Sequence, residues 1–450
     1  MGSDSQTHNS VETLRAHRTT RSFDVTGLFG GIGGLEFGLS QAGHRTSSFC
    51  EIDPEAATIL RERFPEAAMT RDIRRTNEVC SSVSAKSDLL TAGFPCTDLS
   101  QAGRVQGFAG GRSSLIHYAL RILKSRPFAH VLLENVPNWR RLHSGRYLAE
   151  VVGALEALGY RWAYRTIDAL AFGAPQRRLR IFLYATLEGD PRGVLFHGDH
   201  TPAAPEFGLS ERAHGFYWTE GTRGLGWGED CVPPLKGGST VGVPAPPAIL
   251  LPSFVGAAAA TSKGLFRVIT PNVQDAERLQ GFPAGWTAAA AETIDGGHFQ
   301  QRRRWLMIGN SVNVRAAAWL GAQLGTPTLW VGEEGTPLEG GDSWPAAAWS
   351  DGTNRYGAAV GAWPVEAPRE TLTEFLTHPG APLSARATVG FLRRLLDSRL
   401  RVRKGFVDEL QHHLLRLEGS TPCKAHSQDR ASNATKQLVC RPKRRLRSLD

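Results

Sequence analysis

Phe23-Asp-Val-Thr-Gly-Leu-Phe-Gly-Gly-Ile-Gly-Gly34 carries a short apolar run into four glycines within five residues. Residues 23–29 read as a strand and 34–42 as the helix behind it, so the glycines occupy a strand-to-helix turn. Glycine lets the backbone there approach a ligand, and the helix N-terminus that follows can face an anionic group. Glu51 comes about twenty residues later, at the end of the next apolar run, where an acid can accept hydrogen bonds from both hydroxyls of a ribose. Taken alone, the glycine run reads more readily as a plain tight turn.

Working outward, short apolar runs alternate with amphipathic stretches as far as about residue 185. The spacing predicts strands over 23–29, 47–52, 88–93, 130–134, 161–167 and 180–185, and helices over 34–42, 54–63, 114–125 and 146–158. This alternation predicts an α/β fold, a doubly wound Rossmann-like sheet, in which ligands gather at the carboxyl ends of the strands. Gly30–Gly34, Glu51, Cys96 and Glu134 all fall at predicted strand ends.

Two of those positions carry chemistry. Gly93-Phe-Pro-Cys-Thr-Asp-Leu-Ser-Gln101 places Cys96 behind Pro95 at a strand-to-loop corner, and Val131-Leu-Leu-Glu-Asn-Val136 ends a buried run on Glu134. A thiol nucleophile, an acid and a cofactor loop in this order suit covalent catalysis on an electron-poor ring. Singly, each has a plain structural reading: a buried thiol, a turn or cap, and, for Gln176-Arg-Arg-Leu-Arg180, a solvated basic patch.

In combination the chain resembles the DNA (cytosine-5)-methyltransferases over most of its first 320 residues. The family order is kept throughout: glycine loop, Pro-Cys, Glu-Asn-Val, Gln-x-Arg-x-Arg, Arg278-Leu-Gln-Gly-Phe-Pro283 and Gly309-Asn-Ser-Val312. The resemblance implies S-adenosylmethionine as cofactor, with Phe29, Gly31, Gly33, Gly34, Glu51, Ile52, Asp72, Pro95, Asn310 and Ser311 around it. Phe29 and Gly31 would border its methionine part, Ile52 cover the adenine and Asp72 meet the adenine amino group. It implies Cys96 as the nucleophile on C6 of cytosine, Glu134 as the acid at N3, Arg180 at O2, and Arg178 as a second arginine steadying the site. The target base lies inside a duplex and must be flipped out to be reached. Two departures stand out. Gly27 occupies the position before Leu-Phe where the family usually has an acid, and Thr97 follows the cysteine where most members have Gln.

Residues 188–262, rich in Gly, Pro and aromatics, read as a small irregular target-recognition domain. Arg212, Arg223 and Lys236 there, with Arg104 and Arg112 on the glycine-rich loop after Cys96, are candidate DNA contacts. Leu235-Lys-Gly-Gly-Ser-Thr240 and Arg278–Pro283 resemble the segments framing that domain, Arg278 being read as scaffolding. The remaining expected divisions are a polar, mobile segment over 1–20, a catalytic and cofactor domain over 21–187, and a return segment over 263–330. An accessory element follows over 331–418, with a basic, disordered tail over 419–450. In the accessory element Val389, Leu392, Leu396 and Leu400 are expected on one helix face and Phe406, Leu410, Leu414 and Leu417 on another.

Net charge is +9, but residues 424–450 carry eight Lys/Arg against two Asp, so most of the excess belongs to the tail. Six cysteines without a CxxC pair or metal-ligand spacing fit reduced thiols in a cytosolic, nucleoid-associated protein. The longest apolar candidate, 249–260, is interrupted by Pro252 and Gly256, so no membrane span is expected. The implied partner is double-stranded DNA, with a restriction endonuclease acting on the same site as a companion consistent with the class, and the enzyme is expected to be a monomer. Two other readings stay open: the tRNA-methylating branch of the family, disfavoured by the sizeable recognition region and the lack of a Cys-Phe-Thr signature, and a catalytically silent sequence-specific DNA-binding protein.

Overall fold

The structure, a computed structural model, describes residues 20–95, 115–202, 209–236, 246–253, 265–292, 297–419 and 448–449. Cys96, Arg104 and Arg112 lie outside the described residues, as do 1–19 and most of the expected tail.

Seven strands and five helices build the first part of the chain. They are β1 Asp24–Leu28, α1 Gly34–Gln41, β2 Arg45–Cys50, α2 Pro54–Arg63, β3 Ala68–Thr70, α3 Thr76–Ser82, β4 Leu89–Gly93, α4 Ile116–Ser125, β5 His130–Asn135, α5 Arg146–Ala157, β6 Arg161–Asp168 and β7 Leu179–Thr186. Their order in the sheet is β3-β2-β1-β4-β5-β7-β6. The first five run parallel, and β7 inserts antiparallel between β5 and β6. Every residue of β5 is buried, which is why it reads as an unbroken apolar run and not as an alternation. β3 and α3 have no counterpart in the sequence reading; three and seven residues are too short for a period to register.

Beyond the sheet the chain forms β8 His214–Phe216, β9 Trp227–Glu229, β10 Ala248–Pro252, β11 Phe266–Thr270, α6 Val273–Leu279, α7 Gly297–Asn310 and α8 Val314–Gly325. α8 returns to the first domain and lies against α1. The contact is close because it is made through glycine: a β-carbon at Gly38 would overlap Ala317, and one at Gly321 would stand 2.7 Å from the Ala42 side chain. Asn313, and neither Asn310 nor Ser311, caps α8, accepting from the backbone N–H groups of Arg315 and Ala316.

The segment expected as one accessory element, 331–418, is divided between two sheets. β12 Thr336–Pro337, β13 Ala347–Ser350 and β14 Arg355–Gly357 extend the main sheet beyond β6, with β13 pairing antiparallel to it. β15 Ala381–Pro382 joins β11 in a second sheet of order β15-β11-β10-β8-β9. The following helices, α9 Ala385–Asp397 and α10 Phe406–Gly419, cover that sheet. Phe216, Leu250 and Val268 from the strands share one core with Phe391, Leu392, Leu395, Phe406, Leu410 and Leu414. The second sheet therefore obtains its core from residues more than a hundred positions downstream. On α9 the buried stripe is Thr388, Phe391, Leu392 and Leu395, one step round from the expected Val389/Leu392/Leu396/Leu400 face. Phe391 provides the largest side chain on that stripe, stacked 5.4 Å from Phe216.

Replacing Phe391 with Ala should cost about 3–5 kcal/mol, as a large aromatic is lost from a closed core. Urea unfolding followed by tryptophan fluorescence will measure it; a change below about 1 kcal/mol would show that α9 is not integral to the second sheet.

Candidate active site

The glycine loop leaves β1 through two left-handed residues, Phe29 at φ 56° and Gly31 at φ 54°, and Gly33 at φ 80° caps α1. Phe29 is a non-glycine in a region that disfavours side chains, so the surroundings must hold it there. Part of that hold is Glu51. Its carboxylate accepts from the Gly31 N–H at 2.7 Å and from the Asp53 N–H at 2.7 Å, joining the loop to the end of β2. Burial pushes the Glu51 carboxyl up, while those same backbone hydrogen bonds pull it back. A β-carbon built on Gly31 would meet nothing within 4 Å, whereas one on Gly34 would overlap Ser311 Oγ. The loop thus faces open space at Gly31 and is backed by the return segment at Gly34. Trp286 strengthens that backing by donating from its indole N–H to the Ile32 carbonyl at 2.9 Å.

Ile52, directly after Glu51, is 59% exposed, an unusual position for an isoleucine at a strand end. Asp72 stands beyond β3 with its carboxylate gripped by Arg74, whose Nη2 lies 2.7 Å from Oδ2, and this holds the carboxyl below its usual range. Pro95 is exposed at the last described position before Cys96, and Asn310 is exposed at the end of α7. An open glycine turn, a buried acid holding its amide and an exposed apolar residue beside that acid fit a nucleoside-bearing cofactor.

The acid and arginine sit on neighbouring strands. Glu134 pairs in register with Gly93, and a β-carbon on Gly93 would be only 3.6 Å from Glu134 Oε2. The chain leaving Gly93 reaches Cys96 three residues later. Arg180 Nε lies 3.0 Å from Glu134 Oε1. Burial raises the Glu134 carboxyl above its ordinary range, with Arg180 and then Arg178 pulling the other way. Asn135 has a role that the sequence reading did not assign: its side-chain amide donates to the Phe94 carbonyl at 3.2 Å, tying the end of β5 to the loop that carries Pro95. The Glu-Asn-Val spelling was the available signal.

Arg178 makes its hydrogen bonds away from Glu134. Its guanidinium is buried and donates to the carbonyls of Leu235 at 3.1 Å, Gly309 at 3.0 Å and Ser311 at 2.6 Å. It joins the start of β7 to residue 235 and to the 309–311 turn, contacts of the kind expected of a second arginine that steadies the site. Arg278 similarly binds Asp275, the Phe375 carbonyl and Thr377, and Arg303 clamps Asp53 and Glu55. Of the candidate DNA contacts, Arg212 and Arg223 are exposed. Lys236 pairs with Glu220 at 2.6 Å and lies over the Tyr217 ring at 3.7 Å.

A family model for the C-5 cytosine-specific DNA methylases matches residues 23–210. Over 381 residues the chain is 42% identical to the Type II methyltransferase M2.BsuMI of Bacillus subtilis (strain 168), taking in 82% of this chain and 92% of that protein. It is 35% identical over 179 residues to the Type II methyltransferase M.NgoBV of Neisseria gonorrhoeae, which covers 36% of this chain and 41% of that one. The crystal structure of the S. pombe Dnmt2 methyltransferase aligns at TM-score 0.47 and 16% identity over 67% of this chain and 98% of that chain. With identity sustained along nearly the whole of a relative of similar length, the chain belongs to the C-5 cytosine-specific DNA methylase family.

Proposed function

We propose that the protein transfers a methyl group from S-adenosylmethionine to C5 of cytosine within a specific double-stranded DNA sequence, as the modification enzyme of a bacterial restriction–modification or related defence system. The observation that carries this reading is buried Glu134, paired with Arg180 and in register with the strand that runs into Pro95-Cys96. Glu51, Gly31, Ile52 and Asp72 are the residues that would hold the cofactor, with Ser311 behind the loop. When bound, S-adenosylmethionine supplies an electrophilic methyl on a sulfonium.

Cytosine C5 is a poor nucleophile until the ring is saturated at C6. The Cys96 thiolate adds there, forming a sulfur–carbon bond and giving C5 enamine-like electron density. Glu134 moves a proton to N3 as negative charge develops, which requires it to begin protonated; its burial favours that form. Arg180, already oriented by Glu134, holds the ring oxygen O2. After C5 takes the methyl group, a base removes the C5 proton, the C5–C6 double bond re-forms and the thiolate leaves. The base must stand outside the helix to meet these groups, so the duplex opens at that nucleotide.

Bisulfite sequencing of DNA from cells expressing the chain, beside a Cys96→Ala control, should reveal protected cytosines in one short sequence context and none in the control. Protection that persists in Cys96→Ala would exclude the covalent route. DNA containing 5-fluorocytosine should form an adduct that survives denaturation when S-adenosylmethionine is present, because fluorine cannot leave as a proton. An adduct mapping by peptide mass to a residue other than Cys96 would move the nucleophile.

The acid role has its own pH signature. Glu134 acts in its protonated form, so kcat should fall on the alkaline side as pH rises through its elevated pKa. Glu134→Gln should lower kcat by roughly 10²–10⁴-fold and abolish that alkaline fall. A Gln variant retaining the wild-type pH profile would assign the titration to another group.

A further inference from the structure

Glu36 is an acid in the first turn of α1 whose side chain turns inward and is 2% exposed. Its carboxyl lies over β1 and β4 where Gly27 and Thr91 are paired in register. A β-carbon on Gly27 would stand 2.7 Å from Glu36 Oε1 and 3.1 Å from its Cδ, so the carboxyl occupies the space a side chain at position 27 would take. The Thr91 hydroxyl is 2.7 Å from the same Oε1 and 3.3 Å from the Thr26 carbonyl. A hydroxyl has one proton to give. If Thr91 donates to Thr26, the contact with Glu36 is complete only when Glu36 is the donor, that is, when its carboxyl keeps a proton. Burial acts in that direction, pushing the carboxyl up to about 7; Thr91 and the residue's own backbone N–H oppose it, and Glu51 adds a smaller push upward.

We propose that Glu36 is a positioning residue of the cofactor site, its carboxyl standing in from α1 for the side chain that Gly27 lacks and, through Thr91, fixing the glycine loop against β1 and β4. This rests on the reading of the loop as an S-adenosylmethionine site. The chain of contacts is short: Glu36 sits three residues past Gly33, the cap of α1, and Gly31 donates to Glu51 just ahead of that cap. Releasing the first turn of α1 frees the loop amides from the arrangement that Glu51 holds. The acid missing before Leu-Phe in the sequence is thereby supplied from nine residues downstream.

Titration calorimetry of the full chain with S-adenosylmethionine tests this. Glu36→Met keeps the volume and removes the hydrogen bond; it should weaken binding by about tenfold or more, the scale of one lost buried hydrogen bond. Glu36→Gln, which keeps a neutral donor and acceptor, should stay within about threefold of wild type. Thr91→Val should weaken binding by about tenfold, and adding it to Glu36→Met should produce little further loss, since both remove the same contact. Turnover at saturating cofactor should change far less than affinity in each variant. Wild-type affinity in Glu36→Met or Thr91→Val would overturn the proposal, as would Glu36→Gln falling as far as Glu36→Met. If the wild-type chain binds no S-adenosylmethionine, the reading of the site fails and this inference with it.

Discussion

Arg178 carries the architecture of the site. One buried guanidinium collects three carbonyls from two segments that lie 57 to 133 residues further along the chain. A fork with five fixed donors is suited to this; a lysine ammonium on a flexible stem is not. Because the charge is surrounded by carbonyl oxygens with little access to water, loss of any one segment would leave a buried cation under-coordinated, an expensive state. The interaction therefore makes β7, the start of the recognition segment and the Gly-Asn-Ser-Val turn mutually dependent. Ser311, one of its acceptors through the backbone, presses its hydroxyl toward Gly34, so the same arrangement sets the rear wall of the glycine loop.

Around that frame, three carboxyls sit at or near strand ends with different environments. Glu51 is held by backbone N–H groups, Glu36 by a threonine hydroxyl, and Glu134 by an arginine. Burial raises all three, and the partner decides how far the rise is countered. A guanidinium beside Glu134 also fixes the direction in which its carboxyl points. Asp72 contrasts with them. It lies near the surface, and its pairing with Arg74 is screened by water, so the pair contributes little to stability.

Much of the sheet was legible because its longer strands and helices each leave a local signature, an unbroken apolar run for β5 and an amphipathic stretch for α2. The glycine loop, Pro95, Glu134 and Arg180 were legible because their chemistry is local to short motifs. What local pattern could not convey was partnership across the chain. Arg178 and Arg180 sit two apart in one motif, yet the first, just ahead of β7, turns to remote carbonyls and the second, within β7, to Glu134; nothing nearby in sequence names either partner. Glu36 drew no reading from the sequence for the same reason. The absence of a side chain at Gly27 is a visible departure, but what fills the space comes from another element.

The division of 331–418 follows from the size of the recognition strands. β8 and β9 have three residues each and β10 and β11 five, too short to bury a face on their own. Their apolar side needs a cover, and α9 and α10 supply it with Phe391, Leu395, Phe406 and Leu410. The main sheet meets a different need. Its edge at β6 is an eight-residue strand with seven buried residues, whose open hydrogen-bonding groups would template association; β13 pairs with it and ends that exposure. A single downstream segment thus completes both sheets. The two sheets therefore share one continuous support, which reaches the main sheet through β13 and the second sheet through β15, α9 and α10.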